Sequence, residues 1–153
     1  MKKTVFILAI FATAILQITV ADYLRIFNVK PDLLLIPACL GALFFGLPSS
    51  LAFALLSGVL KDSVSINPFG TNTLLFSLWC FLVFRLAKKI SVDSELRSAA
   101  LIFLIAIAHN TILGLMYVYS GNPVPTGIFL RIVSIGSVYT ALITPLYFRL
   151  IKR

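Results

Sequence analysis

Apolar segments follow one another along almost the entire chain, and this pattern constrains the fold more than any other feature. Of the 153 residues, 60% are hydrophobic and only 12% are charged. Soluble domains average about 45–50% apolar and about 25% charged residues. A small globule cannot hide so much apolar surface from water. The sequence therefore predicts an integral membrane protein, with no soluble domain within these residues.

The formal net charge of +8 raises the question of a nucleic-acid partner. Most of the basic residues, however, lie directly beside apolar segments. This placement is typical of the cytoplasmic loops of membrane proteins. We therefore expect a lipid bilayer, and no nucleic acid, as the surroundings of this chain.

The apolar segments predict a single all-α domain of six transmembrane helices. Only the stretch 32–60 is ambiguous, because one helix of that length exceeds the ~20 residues that cross a bilayer. The sequence "GLPSS" divides it, since Pro48 disfavours a continuous helix and Ser49 or Ser50 can cap a new one. The predicted spans are 4–21, 32–46, 49–60, 71–87, 98–118 and 127–148.

The distribution of basic residues decides between five and six crossings. With six crossings and a cytoplasmic N-terminus, the outer side of the membrane holds only three basic residues, Arg25, Lys30 and Lys61. Five crossings would also expose the loop around Lys88 and the C-terminal tail on the outside, against the known bias of Lys and Arg. We therefore predict six spans with both termini cytoplasmic, on the side that then carries Lys2, Lys3, Arg85, Lys88, Lys89, Arg97, Arg149, Lys152 and Arg153.

The first apolar segment has a rival interpretation as a cleaved signal peptide. The stretch "MKKTVFILAIFATAILQITVA" combines basic residues, an apolar core and small residues near its end. Its apolar part is long for a signal peptide and contains Gln17. We therefore favour a retained helix.

Small and polar residues recur at four-residue spacing in most of the segments, which places them on one helix face. Such rows let helix backbones approach and form hydrogen bonds between helices in lipid. A compact bundle held together along these rows is the favoured interpretation, and a ligand cavity lined by some of them is the alternative. The rows are Ala9–Thr13–Gln17, Ser50–Ala54–Gly58, Ala106–Asn110–Gly114 and Gly136–Thr140–Thr144.

Asp62 extends the third-segment row by one further step and is the strongest candidate for an interacting charge. A carboxylate within the hydrocarbon region is costly unless it is paired or functional. Arg131 lies about one turn inside the outer end of the sixth segment, so we predict an Asp62–Arg131 ion pair. The alternative is that Arg131 extends to the lipid head groups. The side chain of Lys61 is rotated by about 100° around the helix axis from that of Asp62, and we expect it to extend outward to the membrane surface.

The chain lacks the motifs of catalysis. It has no Cys-x-x-Cys, Gly-x-Ser-x-Gly or P-loop sequence, and its five acidic residues form no obvious pair. His109 lies in the middle of a span with no evident carboxylate beside it, so an interhelical hydrogen bond is favoured over proton relay. Cys39 and Cys80 are expected to act as small apolar residues. We expect no enzyme, metal site or cofactor.

The segment "VKPDLLLIPACLGALFFGLPSSLAFALLSGVLKDSVSINPFGTNTLLFSLWCFL" resembles the bacterial rod-shape-determining MreD family. The resemblance rests on Pro31-Asp32 before a leucine run, the break at 46–48, Gly58-x-x-x-Asp62, and Pro68-x-Gly70 before the next helix. It extends to the size and six-span pattern of almost the whole chain. Lys61 departs from the family, which usually has an apolar residue before that aspartate.

The resemblance implies a non-enzymatic scaffold of the cell-elongation complex in the bacterial inner membrane. Such proteins are thought to bind an MreC-like single-span protein, and so to link MreB filaments to RodA and a class B penicillin-binding protein during peptidoglycan synthesis. The fold is also similar to the substrate-binding subunits of energy-coupling-factor transporters. A vitamin-binding subunit is therefore the alternative, although the Ala-x-x-x-Ala pattern of its first helix is matched only weakly by Ala9-x-x-x-Thr13.

The number of crossings can be tested with reporter fusions. A reporter fused to the C-terminus is expected to be active only if it functions in the cytoplasm, because an even number of spans returns the chain to its starting side. Paired fusions to a periplasm-active enzyme and a cytoplasm-active fluorophore measure this. A periplasmic C-terminus would require an odd number of spans.

Overall fold

The computed structural model describes residues 3–19, 23, 29–89 and 94–152. Within these ranges six helices account for most of the chain. They are α1 Lys3–Thr19, α2 Leu35–Phe44, α3 Leu47–Asp62, α4 Thr71–Ala87, α5 Glu95–Tyr119 and α6 Thr126–Lys152. Each predicted segment thus coincides with a helix, and the fourth matches its predicted bounds of 71–87.

The predicted break between the second and third segments is confirmed. α2 ends at Phe44 and α3 begins at Leu47, with Pro48 in its first turn, where a missing amide hydrogen costs least. The predicted serine cap is wrong, because Gly46 occupies the N-cap position. The Ser50 hydroxyl instead lies 2.9 Å from the Gly41 carbonyl oxygen, so it donates to the end of α2.

The second helix begins later than predicted, at Leu35 instead of residue 32. Its 10 residues span only ~15 Å at the usual rise, about half of the hydrocarbon thickness. The residues immediately before it, 31–34, are non-helical but buried. The second segment is therefore a short helix preceded by an irregular, enclosed stretch of backbone.

Successive helices run in alternating directions, so the start of α1 and the end of α6 lie at the same end of the bundle. The Phe6 ring near the start of α1 is 5.1 Å from that of Phe45, just after α2. The ring of Phe44 is 5.2 Å from that of Phe148, near the end of α6. We call this the terminal end. The opposite end, with the ends of α1, α3 and α5, is called the distal end.

Two helices are long and apolar enough to cross a membrane by length and composition. They are α5, with 25 residues, and the 26-residue part of α6 up to Ile151. The other apolar helices α1, α2 and α4 have 17, 10 and 17 residues. Six helices are therefore confirmed within the described residues, whereas six crossings remain a prediction.

Burial is concentrated on α2, which lies at the centre of the bundle. Leu35, Ile36 and Leu40 have no exposed surface. The outer faces of the surrounding helices are apolar instead of charged, as the large exposed side chains Leu8, Leu74, Leu104 and Leu142 illustrate. An apolar exterior of this extent is typical of a surface that faces lipid or another protein.

The tightest helix contact joins α3 to the first turn of α4 at Gly58. A Cβ atom at this position would overlap Thr73 Cα and would lie 2.9 Å from Thr73 N and 3.2 Å from the Asn72 carbonyl carbon. Rigid backbone cannot yield as a side chain can, so only glycine fits here. The predicted small-residue row thus includes a true backbone contact.

We predict that Gly58→Ala destabilises the protein by about 1–3 kcal/mol, the range for overpacked sites. Gly127→Ala is the matched control, because Gly127 is also helical and a Cβ atom there meets nothing within 4 Å. The fraction of detergent-solubilised protein that stays folded on heating measures the difference. Equal stability of the two variants would contradict the close contact.

Candidate functional site

The carboxylate of Asp62 caps the start of α4. Its oxygens accept backbone N–H bonds from Gly70, Asn72 and Thr73 at 2.9–3.0 Å. The Thr73 hydroxyl donates at 2.6 Å and the Asn72 side-chain amide at 3.0 Å. The free amides and positive dipole of a helix N-terminus are the usual partners of an anion. Asp62 therefore supplies from α3 the cap that α4 lacks in its own sequence.

The loop between α3 and α4 holds these amides in position. Gly70 has φ +99°, a left-handed conformation that a residue with a Cβ atom rarely adopts. The Thr71 amide lies 3.2 Å from the Pro68 carbonyl oxygen, which closes the turn. Pro68 and Gly70 thus have a structural role that the motif alone did not specify.

The predicted ion pair between Asp62 and Arg131 is wrong. Asp62 is buried and its oxygens are saturated by donors from α4, so it requires no cation. Arg131 is exposed on the side of α6. The sequence indicated correctly that Asp62 turns inward, but it did not show that backbone N–H groups would stabilise its charge by hydrogen bonds.

A second buried carboxylate, Asp32, lies in the irregular stretch before α2. Lys61 Nζ of α3 is 3.2 Å from its Oδ1, and His109 Nε2 of α5 is 3.5 Å from its Oδ2. The side chains of Asp32 and Lys61 are only 10% and 17% exposed. The structure thus brings together three ionisable groups that are 29 or more positions apart in the sequence.

Side chains of two further helices satisfy the irregular backbone at this point. The Gln17 amide of α1 donates to the Pro31 carbonyl at 3.2 Å and accepts from the Leu33 amide at 2.8 Å. The Asp32 amide donates to the Thr140 hydroxyl of α6 at 3.0 Å. Non-helical backbone at membrane depth requires such internal partners.

The hydrogen bond from Trp79 of α4 determines which ring nitrogen of His109 carries the proton. Trp79 Nε1–H donates to His109 Nδ1 at 3.3 Å, and an indole nitrogen can only donate. The Nδ1 atom is therefore unprotonated, and the proton of the imidazole is on Nε2, facing Asp32. The predicted interhelical hydrogen bond of His109 is confirmed, whereas the expectation that no carboxylate lies beside it is wrong.

We refer to these side chains as the Asp32 cluster. Five helices each contribute one member, and the sixth member precedes α2. This arrangement joins the whole bundle at one point. Its members are Gln17, Asp32, Lys61, Trp79, His109 and Thr140.

Lys61 points into the bundle, so its predicted outward extension is wrong. The reason is Asp32, whose buried charge attracts the ammonium group over a few ångströms. A sequence signal for this orientation exists. Phe53 and Ser57 precede Lys61 at four-residue spacing and are both buried, so a second inward row runs along α3 beside that of Asp62.

A cavity of about 570 Å³ adjoins the Asp32 cluster at the distal end. Gln17, Lys61 and Asn110 reach it from three helices, and Gly114 leaves room for the ring of Phe129 in its wall. Parts of the polar rows therefore line a cavity. Thr13 instead bonds across helices to the Tyr147 hydroxyl, and Thr144 is buried and donates to the Thr140 carbonyl of its own helix. The rows thus pack helices together in one place and border a cavity in another, and the ligand of such a cavity remains a prediction.

The described residues show no further constellation of reactive groups. Cys39 and Cys80 are both free and buried. No group of three His, Cys, Asp or Glu side chains in these ranges is placed to hold a metal ion.

The fold and these two clusters define a helical membrane-type protein whose charged groups serve to join helices. The family model of the rod shape-determining protein MreD matches residues 2–152, nearly the whole chain. The chain therefore belongs to the MreD family, a family of membrane proteins with a role in rod shape determination that is not known as a family of enzymes. No curated protein and no solved structure gives a significant match.

We predict that Lys61→Met destabilises the protein by about 3–5 kcal/mol, because it leaves the Asp32 charge buried without its cation. The double change Asp32→Asn with Lys61→Met is expected to recover most of this loss. Thermal unfolding in detergent measures both.

Arg149→Met provides the control for this comparison. Arg149 pairs with Glu95 at 2.9 Å, but its side chain is 73% exposed. Such pairs contribute only about 0–1 kcal/mol. If Lys61→Met costs no more than Arg149→Met, the Asp32–Lys61 pair does not stabilise the bundle.

Proposed function

We propose that this protein is a non-enzymatic scaffold of the bacterial cell-elongation complex in the inner membrane. In this role it binds an MreC-like single-span protein and supports peptidoglycan synthesis. Through this partner it acts indirectly with MreB filaments, RodA and a class B penicillin-binding protein. The match of the MreD family model to residues 2–152 is the observation that carries this proposal.

The distribution of polar groups supports a structural role. The charges of Asp62 and Asp32 are engaged in contacts that hold helices together, as expected of groups with a structural role. The exterior offers apolar helix faces. In lipid, van der Waals packing of such faces can bind the single helix of a partner.

Six crossings with both termini cytoplasmic remain our proposal for the topology. The terminal end of the bundle carries most of the described basic residues, in agreement with the positive-inside bias. The distal end carries fewer and would then face the periplasm. The basic residues are Lys3, Arg85, Lys88, Lys89, Arg97, Arg149 and Lys152 at the terminal end, and Lys30, Lys61 and Arg131 in the distal half.

The loop between α3 and α4 is a suitable contact for the periplasmic part of an MreC-like partner. Ile66 and Phe69 are 93% and 72% exposed at the distal end. The Asp62 cap holds the end of this loop against α4, so the two apolar side chains are presented by a fixed turn. Preorganised apolar groups of this kind favour association because little conformational entropy is lost on binding.

We predict that the double change Ile66→Ser with Phe69→Ser strongly reduces copurification with a coexpressed MreC-like protein. The variant should keep wild-type thermal stability, since neither side chain is buried. Tyr119→Ser is the matched control, because Tyr119 is 91% exposed at the same end. Undiminished copurification of the loop variant would exclude the loop as a contact.

A vitamin-binding subunit of an energy-coupling-factor transporter is the second candidate. The cavity of about 570 Å³ favours it, because small-molecule sites occupy about 300–1,000 Å³. Tyr117 of α5 lines this cavity, whereas Tyr119 and Asn122, which follow it in the chain, are exposed. Purification with a bound vitamin and ATPase subunits, in place of an MreC-like protein, would support this candidate over the scaffold.

A further inference from the structure

The distal cavity has two walls of different chemistry. One wall comes from α1, α3 and the residues around them, and contributes Gln17, Lys30 and Lys61 together with apolar side chains. The other comes from α5 and α6 and is mainly apolar, with Leu113 and Ile132, and with Asn110 and Tyr117 as its polar members. A polar wall opposite an apolar wall matches a ligand that is itself amphiphilic.

The polar wall carries two cationic side chains. Lys30 and Lys61 both line the cavity, and none of its described lining residues is acidic. Asp32 offsets one of these charges from behind the wall, through its contact with Lys61. The Lys61 ammonium group has three N–H donors and uses one toward Asp32, so others are available to an anion in the cavity.

The size of the cavity argues against a protein segment as its occupant. A transmembrane helix is about 10–12 Å across and about 30 Å long, which is several times the cavity volume of about 570 Å³. The cavity instead suits one chain of an amphiphile with its head group. Its position at the distal end, beside the ends of α1 and α3, is consistent with the depth of lipid head groups.

We propose that this cavity binds one anionic phospholipid of the surrounding membrane, with its phosphate at Lys61 and Lys30 and an acyl chain along the α5–α6 wall. Basic pockets between membrane helices recognise lipid head groups by this chemistry. The lipid would lie against the Asp32 cluster and so add a contact between α3 and the α5–α6 pair. This inference is independent of the scaffold role, since either candidate function can include it.

Native mass spectrometry of the full-length protein tests the proposal. The purified protein in neutral detergent is given phosphatidylglycerol or phosphatidylcholine with the same acyl chains. We expect about tenfold stronger retention of one phosphatidylglycerol. Both lipids carry a phosphate, but the choline ammonium of phosphatidylcholine offsets its charge and is repelled by Lys61 and Lys30. Added glycerol 3-phosphate should not displace the lipid. Displacement would point to a free phosphate ester and would overturn the proposal.

Two kinds of variant separate the cavity from the general lipid surface. Asp32→Asn with Lys61→Met, or Lys30→Gln alone should the double variant fail to fold, is expected to lower the preference for phosphatidylglycerol. Leu113→Trp, which fills the cavity from α5, is expected to reduce retention of both lipids. Arg131→Gln is the matched control, because Arg131 is an exposed cation in the distal half that does not line the cavity.

Two further results would overturn the proposal. Equal retention of both lipids by the wild-type protein would show binding without head-group recognition. Loss of the preference in Arg131→Gln as large as in the cavity variants would show attraction by surface charge alone.

Discussion

The burial of the Asp32 carboxylate is the constraint on which the arrangement of the helices depends. An ionised carboxylate among apolar helices is stable only with partners close by. The chain provides them from distant positions, with Lys61 at 3.2 Å and His109 at 3.5 Å. Trp79 in turn orients the imidazole. A change in the position of any contributing helix would leave a buried polar group without its partner.

The irregular backbone before α2 also requires partners inside the bundle, for its N–H and C=O groups. α2 is too short to cross a bilayer by itself, and the stretch before it must be enclosed by protein. Gln17 and Thr140 accept and donate the hydrogen bonds that a helix would have made internally. The same residues thus complete the backbone and connect α1 and α6 to the centre. The helices are thus held together near the distal end, while the exterior of the bundle is apolar.

Asp62, which follows Lys61 in the sequence, is a second buried carboxylate, and its hydrogen bonds are satisfied by different means. It accepts backbone amides at the start of α4, where the helix dipole favours a negative charge. Gly58, one turn earlier, allows the close approach that brings these amides within reach. The spacing Gly58-x-x-x-Asp62 is therefore one device, in which the glycine sets the distance and the carboxylate makes the bonds. The chain belongs to the MreD family, which has a role in rod shape determination, and this arrangement fixes the end of the distal loop in its fold.

The sequence by itself determined the membrane class, the six helices, the break near Pro48 and the inward face of α3, because each depends on local composition and helical spacing. Its motif also singled out Asp32, Gly58, Asp62, Pro68 and Gly70. Only the tertiary structure decided the partners of the charges. Asp62 bonds to backbone amides instead of Arg131, and Lys61 turns inward to Asp32. These pairings depend on which helices pack together and at what height, and that information is not contained in the spacing along any one helix.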